Sequence, residues 1–333
     1  MERAIVHSDL SKNEIQPQAL ITKYRVLLEK DIHKLLPVSS LEESNCPVSG
    51  EVEFHNSFSK MGMDYRVSSS FENIYLSPRP SMEKLRAFYL ESEARKLWIT
   101  KLWPETKSIR IEKIIHPQLE WIQDFLSQFD LQNDLDIAEF LPNHWGYWEE
   151  VEKKIPNVNY IFIDPLFNSK LAGNSDGESL TLSRILDDSL DVALLFEAMD
   201  RSPDPAGLLG KVKQGLKPGG LCFVTCLLSS GFEVQVLGKY SDVFVPPERM
   251  NLLSFEGLNS LIEKTGGLEL LEFSTPGVLD IPNIVEKLDD LESASFFNYL
   301  FRLRKDPSLV ESFQDFLQLN RLGTYGRLVL RKQ

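Results

Sequence analysis

Strands that end in a carboxylate can present an acceptor at the edge of a sheet, and this sequence contains two such endings. NYIFIDP runs out at Asp164, and LDVALLFEAMD delivers Glu197 and then Asp200 beyond a buried apolar run. A carboxylate at the end of a parallel strand can accept both hydroxyls of a ribose. It can equally be a solvated turn residue, here ahead of Pro165, and the pattern supports both readings of Asp164. A third stretch, LDIAEFLPNHWGYW over residues 135–148, passes from an apolar-acidic strand into a helix, with His144 in the turn and Gly146 as its only glycine. In a fourth, LKPGGLCF, Gly219 and Gly220 turn a helix into the following strand, while Asp204 ahead of Pro205 has the form of a helix N-cap.

The elements that must position these residues alternate from Asp134 onward. The strand candidates are LDIAEF, NYIFIDP, LDVALLFEA, GLCFVTCLL, LELLEFS and GRLVLRK. Between them lie the helical stretches WGYWEEVEKKI, DPAGLLGKVKQGL and FEGLNSLIEKTG. Alternation of this kind, with strands as apolar as YIFI and VALLF, is the mark of a parallel sheet covered by helices on both faces. Ligands of such sheets bind outside the carboxyl ends of the strands, near the point where the strand order reverses. The four stretches above converge on that edge.

Upstream, QPQALITKYRVLLEKDIHKLL places Leu20, Tyr24, Leu27, Leu28 and Leu35 at helical spacing. Short alternating runs broken by Gly and Pro follow, the pattern of a small β-rich module. SMEKLRAFYLESEARKLW then opens a long helical region on a Ser81 N-cap. The expected division is a helix and β-rich module over residues 1–80, a helical linker over 81–130, and an α/β domain over 131–333 closed by two helices around Asp306 and Pro307.

Composition narrows the partners. The 333 residues include 49 acidic and 36 basic side chains, a net charge of -13, so a nucleic-acid backbone would be approached against repulsion. No stretch reaches the roughly 18 apolar residues of a membrane span, and the N-terminus MERAIVHSDLSKNE lacks an apolar signal core. A cytoplasmic location is expected. Cys222 and Cys226 of CFVTC fall on one face of a strand about 13 Å apart, too far to bridge, so these thiols are expected to be reduced and buried.

The order and spacing of the acidic strand end before "DP", "LKPGG", and "LLSFEGLNSLIEKTGG" resemble the class I S-adenosylmethionine-dependent methyltransferases over about residues 131–285. IYLSPRPSMEKLRAFYLESEARKLW further resembles a bacterial subgroup that opens with a small zinc-binding ribbon. The resemblance implies a doubly wound Rossmann-like sheet, S-adenosylmethionine as cofactor, and a saccharide or surface-polysaccharide precursor as small-molecule substrate. The ribbon's paired cysteines are absent: Cys46 remains, Ser49, Ser68 and Phe71 stand in the other regions, and His55 is the one residue placed to join Cys46. A structural zinc needs about four Cys or His ligands, so no zinc is expected.

The family's first strand runs into a glycine-rich turn, because glycine lets the backbone approach the cofactor closely. Here Asp136 corresponds to the acidic strand residue, Ala138 and Phe140 occupy the places of the first glycines, and Gly146 corresponds to the last. The resemblance thus assigns Asp136, Ala138, Phe140, Gly146, Asp164 and Glu197 to cofactor binding, and His144 and Asp200 to the base that removes the acceptor's proton. Two function classes follow. One is an active methyltransferase; the other is a catalytically inactive methyltransferase fold kept as a scaffold or partner subunit of another protein.

Overall fold

A computed structural model describes residues 5–131, 134–142, 147–155, 157–163, 179–180, 185–291, 295–304 and 306–333. Within them the strands are β1 (Phe54–Lys60), β2 (Met63–Ser68), β3 (Ile74–Leu76), β4 (Asp136–Phe140), β5 (Asn159–Ile163), β6 (Ser179–Leu180), β7 (Leu190–Phe196), β8 (Leu216–Leu227), β9 (Asn251–Leu252), β10 (Leu268–Ser274) and β11 (Tyr325–Lys332). The large sheet has seven strands in the order β10-β11-β8-β7-β4-β5-β6. β4 pairs in parallel with both β5 and β7, and β6 and β8 extend the parallel set on either side. β11 lies antiparallel between β8 and β10. This is the doubly wound, Rossmann-like α/β architecture expected from the alternation. From β4 the chain builds outward through β5 and β6, then returns to the other side of β4 as β7, so the order reverses between β4 and β7.

Period-two alternation puts successive residues on opposite faces. Ile137, Val192, Leu194, Phe196, Leu221, Phe223 and Val329 pack beneath the helices His116–Gln128 and Tyr147–Lys154. Ala138, Phe140, Ala193, Leu195, Cys222, Val224 and Leu328 pack against the helices Pro205–Gly215 and Phe255–Thr265. Cys222 and Cys226 are buried free thiols, as is Cys46, which accepts a hydrogen bond from Asn73 at 3.6 Å. Entry into β8 turns on Gly219, at φ +82°, and Gly220, where a Cβ would meet the carbonyl oxygens of Lys217, Asp191 and Leu190 at 2.9–3.2 Å.

The N-terminal strands form a second, antiparallel sheet with order β1-β2-β3-β9. Its fourth strand comes from the segment ahead of the helix Phe255–Thr265, and Tyr65 on β2 donates to the Arg249 carbonyl at 2.6 Å. One apolar core runs from Leu28 and Tyr65 through to Ala193. Residues 1–80 are therefore completed by the rest of the chain and share its core. The short β9 has too few residues to show an alternation, which is why its pairing escapes a sequence reading.

From Met82 to Gln128 the chain is almost continuously helical. Ser81 caps its first helix by accepting from the Lys84 N–H. It contains two π-helical turns, Trp98–Leu102 and Ile111–Ile115. Near the C-terminus, helices Asp280–Lys287 and Pro307–Leu319 pack through Ile281, Phe301 and Leu317. Among the described residues no helix is long and apolar enough to cross a membrane.

Candidate functional site

The carboxyl ends of β7 and β8 and the first residues of β11 open onto a cleft of about 750 Å³, a size usual for small-molecule sites. Phe196, Glu197, Thr225, Leu227, Tyr325 and Arg327 line it from the sheet, Arg110 and Gln118 from the helical region, and Glu233, Asp280 and Asn283 from the far side. Residues from Val6 to Gln16 pass along it as well. This N-terminal segment is tied down by Lys12, which bonds Asp242 at 2.8 Å and Glu286 at 2.5 Å, and by its Ile15 carbonyl, which accepts from Arg110 at 2.6 Å. Burial alone would raise the Asp242 pKa, but Lys12 and Arg25 outweigh it and hold the carboxyl down at about 2.

Glu197 leaves β7 in the left-handed region at φ +53°, with its N–H donated to the Thr225 carbonyl at 2.7 Å. That turn aims the side chain toward Arg249, whose Nη2 lies 2.7 Å from Glu197 Oε2 and whose Nη1 lies 3.0 Å from Asp200 Oδ2. Asp200 also accepts the Leu227 N–H at 3.1 Å. Burial pushes the Asp200 carboxyl up to about 7, Arg249 opposing the rise. Glu197 borders the cleft with 18% of its side chain exposed, against 2% for Asp200.

The point where the strand order reverses is spanned by a residue of another kind. Arg201 donates through Nη2 to the carbonyl oxygens of Leu141, just past β4, and of Phe196, the end of β7. Burial lowers its pKa. Both bonds use Nη2, so Nε and Nη1 carry no hydrogen bond to the described residues. Leu141 itself stands at φ +50°, a conformation glycine adopts without cost, and its N–H continues the ladder to the Ile163 carbonyl at 2.9 Å.

The expected site residues divide accordingly. Glu197 and Asp200 are brought together on Arg249. Asp200 is corrected from an acceptor-facing base to a buried ion-pair residue, because its side chain is 2% exposed, off the cleft lining, and held by Arg249 and the Leu227 N–H. Asp136 is also corrected: it opens β4, so four residues at roughly 3.3 Å each separate it from the carboxyl edge. There it accepts from Asn159 at 2.9 Å and pairs with Lys217 at 3.2 Å. Ala138 is a mid-strand residue and Phe140 the last of β4, both fully buried in the core, so they are sheet positions and the turn begins only at Leu141. His144, Gly146 and Asp164 lie outside the described residues.

Sequence reasoning passed over Arg201, Arg249, Arg110, Gln118, Tyr325 and Arg327. Arg201 sits beside Asp200 inside FEAMDRSPDP, and a cation adjoining two strand-end carboxylates was a usable signal. Arg249, Tyr325 and Arg327 come from distant segments, and no spacing joins them to the strand ends.

No family model and no curated protein matches the chain. Solved structures similar to it include a S-adenosylmethionine-dependent methyltransferase from Archaeoglobus fulgidus, at 12% identity and TM-score 0.40 over 67% of this chain and 96% of the other. A Mesorhizobium loti S-adenosylmethionine-dependent methyltransferase aligns at 14% identity and TM-score 0.38, over 60% and 92% of the two chains. Phosphoethanolamine N-methyltransferase 2 of Haemonchus contortus, in complex with S-adenosyl-L-methionine, aligns at 14% identity and TM-score 0.40, over 64% and 52%.

Proposed function

We propose that this chain is an S-adenosylmethionine-dependent methyltransferase acting on a small molecule held in the cleft. The observation that supports this most is the placement of Glu197: a strand-end carboxylate beside the reversal of strand order, bordering a cleft of about 750 Å³. The resemblance over about residues 131–285 supports the family assignment.

The residues around the reversal suit the amino-acid end of the cofactor. Arg201 there offers Nε and Nη1 to an α-carboxylate, a fork geometry matched to that group. Asp164, which follows β5, is the proposed acceptor for ribose hydroxyls. S-adenosylmethionine, when bound, supplies an electrophilic methyl group on a sulfonium. The work of the chain is then chiefly alignment of the acceptor atom. Glu197 replaces Asp200 as the proposed base, because it reaches the cleft and Asp200 does not; Arg249 fixes its carboxylate, and His144, outside the described residues, remains a proposed alternative. A saccharide or polysaccharide precursor, the substrate class implied by the resemblance, matches a cleft lined by the Tyr325 hydroxyl and the Gln118 and Asn283 amides. A cytoplasmic setting belongs to the same reading.

A second reading, a scaffold or partner subunit that no longer binds cofactor, would give one feature a closing role. The guanidinium of Arg201 already bridges Leu141 and Phe196 across the reversal point. Calorimetric titration of S-adenosylhomocysteine into the full chain separates the two. Saturable binding with a dissociation constant on the order of 100 μM is expected, since a turn without its usual glycines loses a few kcal/mol at about tenfold per 1.4 kcal/mol. No heat at millimolar ligand would overturn the methyltransferase reading.

A further inference from the structure

Two guanidinium groups on the cleft lining, Arg110 and Arg327, stand apart from the carboxylates that line it. Arg110 is buried, donates to the Thr106 hydroxyl at 2.9 Å and the Ile15 carbonyl at 2.6 Å, and lies 5.3 Å over the Trp98 ring. Burial lowers its pKa to about 10, with Glu197 acting in the opposite sense. Arg327 lies 5.1 Å over the Trp121 ring, and its Nε is buried without a hydrogen-bond partner. Among the described residues neither guanidinium makes an ion pair with a carboxylate. By contrast, Lys12, Lys113 and Arg249, which line the same cleft, are all paired.

Buried charge is costly unless paired, and a buried donor left without a partner calls for an explanation. Both guanidinium groups lie over tryptophan rings, and Arg327 keeps its Nε and Arg110 its Nη1 for a ligand, the other Arg110 donors already serving Thr106 and Ile15. Gln118, 4% exposed, is on the same lining. Its Nε2 donates to the Tyr325 hydroxyl at 2.6 Å while its Oε1 has no partner. Arg110, Ile114 and Gln118 are spaced by four along the helical region and all line the cleft, while Tyr325 and Arg327 share one face of β11. The two arginines thus approach from two different walls.

We propose that the cleft binds an anionic small molecule whose oxyanion, a carboxylate or phosphate, is held between Arg327 and Arg110. In the methyltransferase reading, on which this rests for its biological role, the methyl acceptor is acidic. Gln118 Oε1 then takes a hydroxyl or N–H of the same molecule, and Glu197 stands at the part away from the oxyanion.

The test uses malonate as the anionic probe and ethanolamine as its cationic counterpart, each titrated into the full chain at constant ionic strength set with sodium chloride. Binding is read as quenching of tryptophan fluorescence and as a rise in unfolding midpoint. Malonate is expected to saturate and ethanolamine not to. Arg327→Gln, a substitution at a half-buried side chain on a strand end, is expected to weaken malonate roughly tenfold or more, the size of a lost charge-assisted bond. Arg110→Gln is the second variant, and should it fail to fold, Arg327→Gln still decides. Saturation by ethanolamine with none by malonate would overturn the proposal, as would malonate binding unchanged in Arg327→Gln. S-adenosylhomocysteine titrated into the same samples separates the two readings. Malonate bound with no cofactor leaves the anion site standing and removes methyl transfer, whereas cofactor bound with no malonate does the reverse.

Discussion

Arg249 joins Glu197 and Asp200 through one guanidinium, with Nη2 2.7 Å from the first carboxylate and Nη1 3.0 Å from the second. One cation therefore compensates two carboxylates at the end of β7. Arg249→Met would leave both without a partner in a poorly solvated place, and breaking a buried pair in this way costs about 3–5 kcal/mol. Urea unfolding followed by circular dichroism checks this. A loss below about 1 kcal/mol, the range of exposed pairs, would mean that water already screens the cluster.

Two buried carboxyls set the pH dependence. Burial raises both Asp200 and Glu233 to about 7 in the folded chain, from ordinary values of 3.8 and 4.5. The folded state thus binds more protons than the unfolded state between those limits. Their contribution to stability is complete below pH 4 and is lost as pH rises through 7. Asp242, held at about 2, works in the opposite sense, but its contribution is lost only as pH falls below about 4. Between pH 5 and pH 8 the unfolding midpoint should fall. Glu233→Gln should flatten part of that slope, since an amide can keep the bonds to Ser241 and Asn283 once the Asn283 amide turns over. A midpoint that rises across this range would show that Asp200 and Glu233 are ionised in the fold throughout.

The parallel sheet was legible because its strands are buried on both faces and its helices carry recognisable ends, such as Asp204 before Pro205 and the Ser254 side chain that accepts from Gly257. The carboxyl edge was legible for the same reason, and Glu197 and Asp200 followed from it. Position within a strand was not. Asp136 and Phe140 belong to one short run whose hydrophobicity does not say where pairing stops, and the pairing continues to Leu141. The cationic half of the cleft was invisible because Arg110, Arg249 and Arg327 come from three separate segments. Only tertiary packing brings them together, and each looks like an ordinary surface arginine in sequence.

For the ribose, Asp164→Ala is the direct probe. Loss of a charged acceptor costs about 1.5–3 kcal/mol, so S-adenosylhomocysteine affinity should fall roughly 10-fold to 150-fold. The thermal midpoint without ligand serves as the control. Equal affinity in mutant and wild type would move the ribose to another residue.

Arg201→Ala decides what the guanidinium at the reversal of strand order is for. If Arg201 holds the cofactor's carboxylate, its removal should lower S-adenosylhomocysteine affinity roughly tenfold or more. If it merely closes the crevice between Leu141 and Phe196, its removal should open space there and raise affinity. Stability should fall in either case by about 1–3 kcal/mol, because two carbonyls lose a donor, so stability is no guide and only affinity discriminates. Arg201→Lys sharpens the comparison: one ammonium keeps the charge but lacks the planar fork. The methyltransferase reading expects the lysine variant to bind more weakly than wild type and more tightly than the alanine variant. Calorimetry on the three proteins gives that ranking, and an alanine variant that binds best would establish Arg201 as a plug.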